Sequence, residues 1–226
     1  MENSLSIIMP CYNEESTVAF CIDEAAHMLH EHGISGEILL VDNGSTDDSA
    51  NIARSHGAVI LTEQEKGYGA AIRCGLAAAK GEVIVIGDCD TTYSFAEAFG
   101  MYEMLTEGGY DMVIGNRFEG SMEQGAMSLS HRVGVRCLSA LARRRFHTDV
   151  YDWHCGLRAI RRDALEKTKL HTRGMEFATE MIAAGARNNL KTGQISVSLK
   201  KCRAKRRSKL RTIRDGLRHL MFILFS

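Results

Sequence analysis

Short apolar runs alternate with stretches of helical character through the first half of the chain, and this alternation limits the fold most strongly. The apolar runs cover residues 5–10, 37–42, 59–62, 83–86 and 111–115, and the helical stretches between them end near residues 32, 56, 80 and 106. Strands that alternate with helices in this way form a parallel, doubly wound sheet. Residues 83–86 are all apolar, which is typical of a central strand buried on both faces. The sequence therefore predicts an α/β fold, with a mostly parallel sheet flanked by helices.

Acidic residues follow three of these strands. Glu14 comes after the first strand, Asp42 ends the second, and Asp88 and Asp90 follow the fourth. Residues two apart at a strand end project to the same side, and ligands of such sheets bind at the carboxyl ends of the strands. Two aspartates there suit Mg²⁺ or Mn²⁺, which in turn binds phosphates. We expect Asp42, one strand away, to accept a hydrogen bond from a ribose hydroxyl or a base N–H. For the Asp-x-Asp pair alone, a solvated turn is the better interpretation.

Polar residues precede the first two helices and are predicted to cap them. Asn13 or Ser16 can cap the first helix, and Ser45 or Thr46 can cap the second.

The third helix opens with Lys66-Gly-Tyr-Gly69, a sequence that can expose backbone N–H groups to an anion. The third glycine of the dinucleotide fingerprint is missing, and the chain has no P-loop motif. Taken alone, Gly67 and Gly69 are therefore interpreted as turn residues.

The second half is less regular but contains two groups of polar residues. Asp152, His154 and Arg158 lie close together in one short segment, and Glu176 and Glu180 share one face of a predicted helix. A structural network and a solvated helix face are the alternative interpretations. The predicted elements of this half are helices at 131–145 and 175–188 and an edge strand at 194–199.

The chain is neutral overall, but its C-terminal part is strongly basic. Residues 200–218 carry ten Lys or Arg and one Asp, which leaves the remainder with a net charge of −9. Apolar residues then recur at helical spacing: Leu210, Ile213, Leu217, Leu220 or Met221, and Leu224. A basic amphipathic helix of this kind indicates contact with an anionic membrane surface. Packing on the domain or on a second copy of the chain is the alternative. We predict a domain over residues 1–199 and a basic, amphipathic tail over 200–226.

Cysteine usage and hydropathy indicate the compartment. The seven cysteines are scattered, odd in number and contain no Cys-x-x-Cys pair, which argues against a disulfide framework and zinc and favours a reducing cytosol. We find no signal peptide and no apolar run near the ~20 residues that span a bilayer. The balanced net charge gives no indication of nucleic-acid binding.

The motifs together resemble those of the GT-A glycosyltransferases of sequence family two. The similar branch contains the dolichol-phosphate mannose synthases and the bacterial polyprenyl-phosphate sugar transferases. The matching elements follow the family's order along nearly the whole chain: Met9-Pro-Cys-Tyr-Asn-Glu14, Val41-Asp-Asn-Gly-Ser-Thr-Asp47, Lys66-Gly-Tyr-Gly-Ala-Ala71, Asp88-Cys-Asp90, Gly115-Asn-Arg117, residues 152–158, Gly174-Met-Glu-Phe-Ala-Thr-Glu180 and Ser208-Lys-Leu210.

The resemblance implies roles for individual residues. The expected nucleotide site comprises Pro10, Tyr12, Asn13, Glu14, Asp42, Lys66, Gly67, Asp88 and Cys89. Asp88 and Asp90 are expected to bind the metal on the diphosphate. Arg117 and the segment containing Arg206, Ser208 and Lys209 are expected to neutralise phosphate groups of the donor or acceptor.

The implied activity is metal-dependent sugar transfer with inversion, from a UDP- or GDP-sugar to a polyprenyl-phosphate-type lipid at the cytoplasmic membrane face. An acceptor hydroxyl or thiol would require a general base, for which Asp152 is the first choice and Glu180 the second. A soluble enzyme that modifies a peptide or small molecule is the alternative. A non-catalytic nucleotide-sugar or phosphoinositide-type binding module is the competing class. The sequence leaves the sugar, the base and the association of copies through the last helix open.

Overall fold

The strands form one seven-stranded sheet in a computed structural model that describes residues 4–203 and 212–226. The strands are β1 (Leu5–Cys11), β2 (Gly36–Asp42), β3 (Val59–Thr62), β4 (Val83–Ile86), β5 (Met112–Asn116), β6 (Arg158–Arg161) and β7 (Thr192–Ser196). The α-helices of the described residues are α1 (Val18–Glu31), α2 (Ser49–Ser55), α3 (Tyr68–Ala78), α4 (Ala98–Thr106), α5 (Leu129–Phe146), α6 (Arg162–Leu165), α7 (Phe177–Arg187) and α8 (Thr212–Phe225). A 3₁₀ turn, Phe95–Glu97, precedes α4. The predicted Arg206, Ser208 and Lys209 lie outside the described residues.

The sheet has the order β3-β2-β1-β4-β6-β5-β7 and is mostly parallel, as predicted. The exception is β6, which lies antiparallel between β4 and β5. The sequence analysis missed this strand. It was also wrong to place Asp42 one strand from Asp88, because β1 lies between β2 and β4. The predicted edge strand is confirmed as β7, which pairs in parallel with β5.

The core is densest around β4. All four of its residues are at most 2% exposed, which confirms the predicted central strand. Helices cover the sheet, with α3 against β1 and β2 and α4 against β6. Burial of such continuous apolar strands is the main favourable contribution to the stability of the sheet.

The predicted helix caps are wrong. Helix α1 begins after Thr17 and α2 after Asp48, and neither receives a side-chain cap. The expected capping residues instead join the two loops to each other. Asn13 N donates to Ser45 Oγ at 2.9 Å, and Thr46 N donates to Asn13 Oδ1 at 2.7 Å. The carboxyl ends of β1 and β2 are therefore fixed relative to one another.

Helix α8 is amphipathic, as predicted, and packs beside α5 and α7. Its inner face presents Asp215, His219 and Ile223, which are at most 8% exposed. Leu217, Met221 and Leu224 of the predicted stripe are instead exposed, whereas Leu220 is half-buried. These three side chains therefore do not pack on the domain. Among the described residues, no helix has the length and hydropathy to cross a bilayer. The predicted division at residue 199 stays a prediction.

Candidate active site

The two aspartates after β4 flank a buried residue. Cys89 is 0% exposed and directs its Sγ to the carbonyl oxygen of Pro10, at 3.4 Å. Asp88 and Asp90, on either side, are both partly accessible. Asp90 Oδ1 accepts hydrogen bonds from Thr92 N at 3.0 Å and Thr92 Oγ1 at 2.6 Å. This alternation fits the expectation that Asp88 and Asp90 face one point.

Asp88 is held by groups from three separate parts of the chain. The Tyr68 hydroxyl at the start of α3 donates a hydrogen bond to it, and the buried Arg158 guanidinium of β6 favours its ionised form. On its other side lies the backbone of Gly156. A Cβ atom at residue 156 would lie 2.4 Å from Asp88 Oδ2, so only glycine leaves room for the carboxylate. The position of Asp88 therefore depends on the segment that leads into β6.

The electrostatics of this pair fit a divalent cation. Burial, followed by the neighbouring Asp90 carboxylate, raises the pKa of Asp88 to about 7. Neither aspartate has an ion pair with a Lys or Arg among the described residues. A cation would favour the ionised form of both. No group of three or more metal-ligating side chains occurs in the described part of the chain, so substrate oxygens and water would complete the coordination.

The loop after β1 carries the predicted nucleotide-binding residues to the same rim. Glu14 is 6% exposed, and its negative charge contributes to the raised pKa of Asp88. Thr17 links the segments that follow β1 and β4, because its Oγ1 contacts Glu14 Oε2 at 3.3 Å and donates to Cys89 O at 2.9 Å. Tyr12 is 47% exposed, so its ring is accessible for stacking. The structure thus brings the residues from Pro10 to Glu14 next to the acidic pair.

The loop after β2 holds Lys66 and Gly67 in place. Asn43 donates from Nδ2 to Glu63 O at 3.0 Å and to Glu65 O at 2.8 Å, and it accepts from Gly67 N at 2.8 Å. Lys66 Nζ donates to Asn43 O at 2.8 Å and lies 5.8 Å from the centre of the Tyr12 ring. These contacts place Lys66 beside the Tyr12 ring.

Two of the N–H groups at the start of α3 are already used. Gly67 N donates to Asn43, and Ala70 N donates to Arg173 O at 3.2 Å. Gly67 has a φ of +144°, and a Cβ there would lie 2.1 Å from Arg173 O. Gly67 thus lies in the bend before α3, whereas the interpretation of Gly69 as a turn residue is wrong, because it lies within the helix. Arg173 O occupies part of the anion cradle considered at this position. Asp42, another residue of the predicted nucleotide site, lies at the same rim, where its Oδ1 accepts a hydrogen bond from Ser45 N at 3.0 Å.

Arg117 and Asp152 form a buried, bidentate ion pair. Arg117 Nε lies 2.6 Å from Asp152 Oδ2, and Nη2 lies 2.7 Å from Oδ1. The backbone N–H groups of Arg117 and His154 also donate to this carboxylate, each at 3.2 Å. Asp152 is 0% exposed, so this part of the short polar segment lies in the interior. Its carboxylate holds Arg117 in place and is not free to accept a proton.

Glu180 is held by three hydrogen bonds. Its Oε1 accepts from His171 N at 2.9 Å, and its Oε2 accepts from Thr172 N at 2.9 Å and Thr172 Oγ1 at 2.6 Å. At 6% exposure, this carboxylate fixes the loop that covers the start of α3. A carboxylate has about four acceptor sites, so Asp152 has none left for an acceptor hydroxyl and Glu180 keeps one, on Oε1.

The sequence analysis missed several residues of the site. Tyr68 and Asn43 appeared only within motifs, and Tyr93 was not considered. Tyr93 Oη accepts a hydrogen bond from Gly156 N at 3.0 Å. Burial raises the pKa of Tyr93, the Arg117 charge opposes this rise, and the Asp88 charge adds to it. Tyr93 therefore lies between the acidic pair and the Arg117–Asp152 pair. Its position three residues after Asp90 was the only signal available.

Comparison with known proteins agrees with this geometry. The model of the family described as glycosyl transferase family 2 matches residues 6–169. The low-salt glycan biosynthesis hexosyltransferase Agl6 of Haloferax volcanii is 36% identical over 224 residues, which are 98% of this chain and 53% of that protein. A dolichyl-phosphate hexose transferase of the same species is 31% identical over 163 residues, or 72% of this chain and 68% of that protein. The chain thus spans about half the length of Agl6.

The solved structures give the fold. Glucosyl-3-phosphoglycerate synthase from Mycobacterium tuberculosis, in complex with Mn²⁺, UDP-glucose and glycerol 3-phosphate, superposes with a TM-score of 0.78 at 21% identity. The match covers 98% of this chain and 80% of that chain. It confirms the predicted GT-A fold. On the family match and the relatives together, the chain belongs to glycosyl transferase family 2.

Proposed function

We propose that the chain transfers a sugar from a UDP- or GDP-sugar to the phosphate of a polyprenyl-phosphate-type lipid, with inversion and with a bound divalent cation. The observation that carries the proposal is the contrast between two kinds of acid. Asp88 and Asp90 lie on the rim without a cationic partner within ion-pair distance among the described residues, whereas Asp152 accepts four hydrogen bonds and Glu180 three. The first kind of acid suits a metal diphosphate, and the second kind is committed to holding the fold.

The state of Asp152 and Glu180 favours an acceptor that is already ionised. A hydroxyl acceptor must lose a proton as it attacks, and a side chain must take that proton. A phosphate monoester, with a second pKa near 6, is largely dianionic at neutral pH and requires no such group. Similarity to a dolichyl-phosphate hexose transferase supports this choice of acceptor. A phosphate acceptor therefore fits this site better than a hydroxyl.

The hydrogen bonds that hold Asp152 and Glu180 also support inversion. Retention by double displacement would require a carboxylate free to attack the anomeric carbon. Asp152 is bound to Arg117, and Glu180 is bound to residues 171 and 172. Direct attack by the acceptor, which inverts the anomeric centre, needs neither.

Asp88 and Asp90 would hold the cation, either Mg²⁺ or Mn²⁺, and the cation would supply Lewis-acid stabilisation of the departing diphosphate. Tyr68 and Gly156 keep the Asp88 carboxylate in position for that purpose. Arg117 is oriented by Asp152 and adds a fixed positive charge beside the site. Tyr12 and Lys66 would border the nucleoside.

The exposed face of α8 supports a peripheral location at the cytoplasmic face of a membrane. Leu217 and Met221 are 55% and 56% exposed, and Arg214 and Arg218 lie on the same helix. Such a face gains from apolar insertion and from roughly 1 kcal/mol per Lys or Arg near an anionic surface. Replacing both Leu217 and Met221 with Glu should abolish sedimentation with phosphatidylglycerol vesicles. Val59→Glu, at a residue that is 51% exposed on β3, is the control and should bind as the wild type does.

An acceptor assay tests the proposed activity. The purified chain would be incubated with UDP- and GDP-sugars, Mn²⁺, and either a short-chain prenyl phosphate, a peptide or 3-phosphoglycerate. We expect a prenyl-phosphate sugar whose anomeric configuration is opposite to that of the donor, and no product with Asp90→Asn. Transfer to the peptide or to 3-phosphoglycerate alone would favour the small-acceptor alternative. Donor binding without any release of nucleoside diphosphate would indicate a binding module instead.

A further inference from the structure

A cavity opens beside the Arg117–Asp152 pair. It lies between the end of β5 and the outer face of α5, and has a volume of about 280 Å³. Asn116 and Tyr151, the chain neighbours of Arg117 and Asp152, both line it. The residues predicted to bind the sugar donor do not line this cavity.

Two arginines of α5 line the cavity, and neither is neutralised. Arg136 stacks on the Phe118 ring, with its guanidinium carbon 4.7 Å from the ring centre, and Arg143 stacks on Tyr151 at 4.1 Å. Within residues 4–203 and 212–226, neither guanidinium has an ion pair or a hydrogen bond. A guanidinium that stacks through its face keeps the N–H donors at its edge free. Both stacked arginines are therefore oriented for an oxygen-rich ligand.

A buried donor without a partner lines the same cavity. Asn116 is 1% exposed, and its Oδ1 accepts from Phe118 N at 3.1 Å. Its Nδ2 has no hydrogen-bond partner among the described residues. A buried amide donor that makes no hydrogen bond costs about 1–3 kcal/mol, so such groups usually mark a missing ligand or water.

The charge of the cavity favours an anion. The lining contains Arg136, Arg143 and one acid, Glu119, which is exposed. Arginine forks bind phosphate and carboxylate oxygens in a bidentate manner, and a neutral amide donor can complete such a site. We propose that this cavity binds a phosphate-type oxyanion, at a subsite separate from the one formed by Asp88 and Asp90. The ligand is either a free phosphate or the headgroup of a lipid, and both share this chemistry. The proposal does not depend on the transfer reaction.

Binding of inorganic phosphate to the full chain tests the subsite, by isothermal titration calorimetry without metal or nucleotide. The wild type should bind phosphate saturably, and Arg143→Gln should weaken the affinity at least tenfold. Arg144→Gln, which removes an exposed charge next in sequence and outside the cavity, is the matched control and should change the affinity by less than about twofold. Glu119→Gln should tighten binding, because it removes the one negative charge of the lining. Non-saturable binding, or equal losses for the two arginine variants, would overturn the proposal.

Asn116→Asp provides a second, nearly isosteric variant. It retains the oxygen that accepts from Phe118 N but replaces the unpartnered donor with a negative charge, so phosphate binding should be lost, and circular dichroism checks that the native fold is kept. Unchanged phosphate affinity in this variant would contradict the assigned role of Asn116. Repeating the titration with a short-chain phosphatidic acid identifies the source of the ligand. A lipid headgroup is indicated if the phosphatidic acid binds more tightly than phosphate and its binding still depends on Arg143. A free phosphate is indicated if either condition fails.

Discussion

Replacing Asp152 with Asn should destabilise the protein far more than the same change at an exposed Arg–Asp pair. The side chains of Arg117 and Asp152 are only 6% and 0% exposed, whereas those of Arg161 and Asp163 are 39% and 53% exposed. Both pairs make two hydrogen bonds between guanidinium and carboxylate. The guanidinium–carboxylate contacts of the two pairs are thus matched, and the pairs differ in burial and in the two backbone N–H bonds that Asp152 also accepts.

The expected magnitudes follow from that difference. Removing one partner of a buried pair leaves an uncompensated charge and costs about 3–5 kcal/mol, whereas an exposed pair contributes about 0–1 kcal/mol. Urea denaturation of Asp152→Asn and Asp163→Asn, followed by circular dichroism, measures both free energies of unfolding. The slope of the free energy of unfolding against urea concentration should be the same in both variants if the native fold is kept.

A double variant separates the lost charge balance from lost packing. Arg117→Met combined with Asp152→Leu removes both charges and should be more stable than Asp152→Asn alone, because apolar replacement of a complete buried pair is often neutral. If Asp152→Asn loses less than about 1 kcal/mol, or no more than Asp163→Asn, the carboxylate does not balance a buried charge. The reasoning that excludes it as a free base would then fail.

Three further predictions follow from the site and from α8. Asp90→Asn should abolish the rise in melting temperature that Mn²⁺ causes in the wild type, and an unchanged rise would contradict the metal site. Gly156→Ala should weaken Mn²⁺ binding roughly 10–100-fold by displacing the Asp88 carboxylate. Gly134→Ala, at a helical position with open space around it, is its control and should leave the affinity unchanged. Burial, followed by Arg158, lowers the pKa of His219 to about 4. Because this pKa lies below the ordinary 6.5, His219 contributes stability that is complete above pH 6.5 and is lost towards pH 4, up to roughly 3 kcal/mol. His219→Gln should reduce this pH dependence in urea denaturation, and a wild-type profile would refute the assignment.

The sequence predicts the first half of the fold well because its signals are local. The buried parallel strands are mostly apolar runs, although β1 contains the buried Ser6, and β3 and β4 have the predicted bounds. The acids at the strand ends are likewise predictable, because the fold class alone brings these ends to one rim.

Strand β6 could not be predicted, because what stabilises it is distant in sequence. Its residues are Arg158-Ala-Ile-Arg161, and the two arginines indicate a surface segment. Arg158 is nevertheless 1% exposed, since its guanidinium donates to the carbonyl oxygens of Cys155 and Ala178. Only the packing of α7 against the sheet supplies the second acceptor. The same limit applies to Asn13, whose partners Ser45 and Thr46 lie more than thirty residues away.

Asp88, Asp152 and Glu180 differ in what compensates their charge, and that difference indicates the ligand. Burying a carboxylate is costly unless hydrogen bonds or a cation stabilise its charge. Asp152 has Arg117, and Glu180 has three donors from residues 171 and 172. Asp88 has the Tyr68 hydroxyl and the charge of Arg158, but burial and the repulsion of the Asp90 carboxylate outweigh them and raise its pKa. A fold that compensates two of these acids and leaves the third next to another acid retains a place for positive charge at the third. The cation is therefore expected at Asp88 and Asp90, where the loops after β1 and β2 also meet.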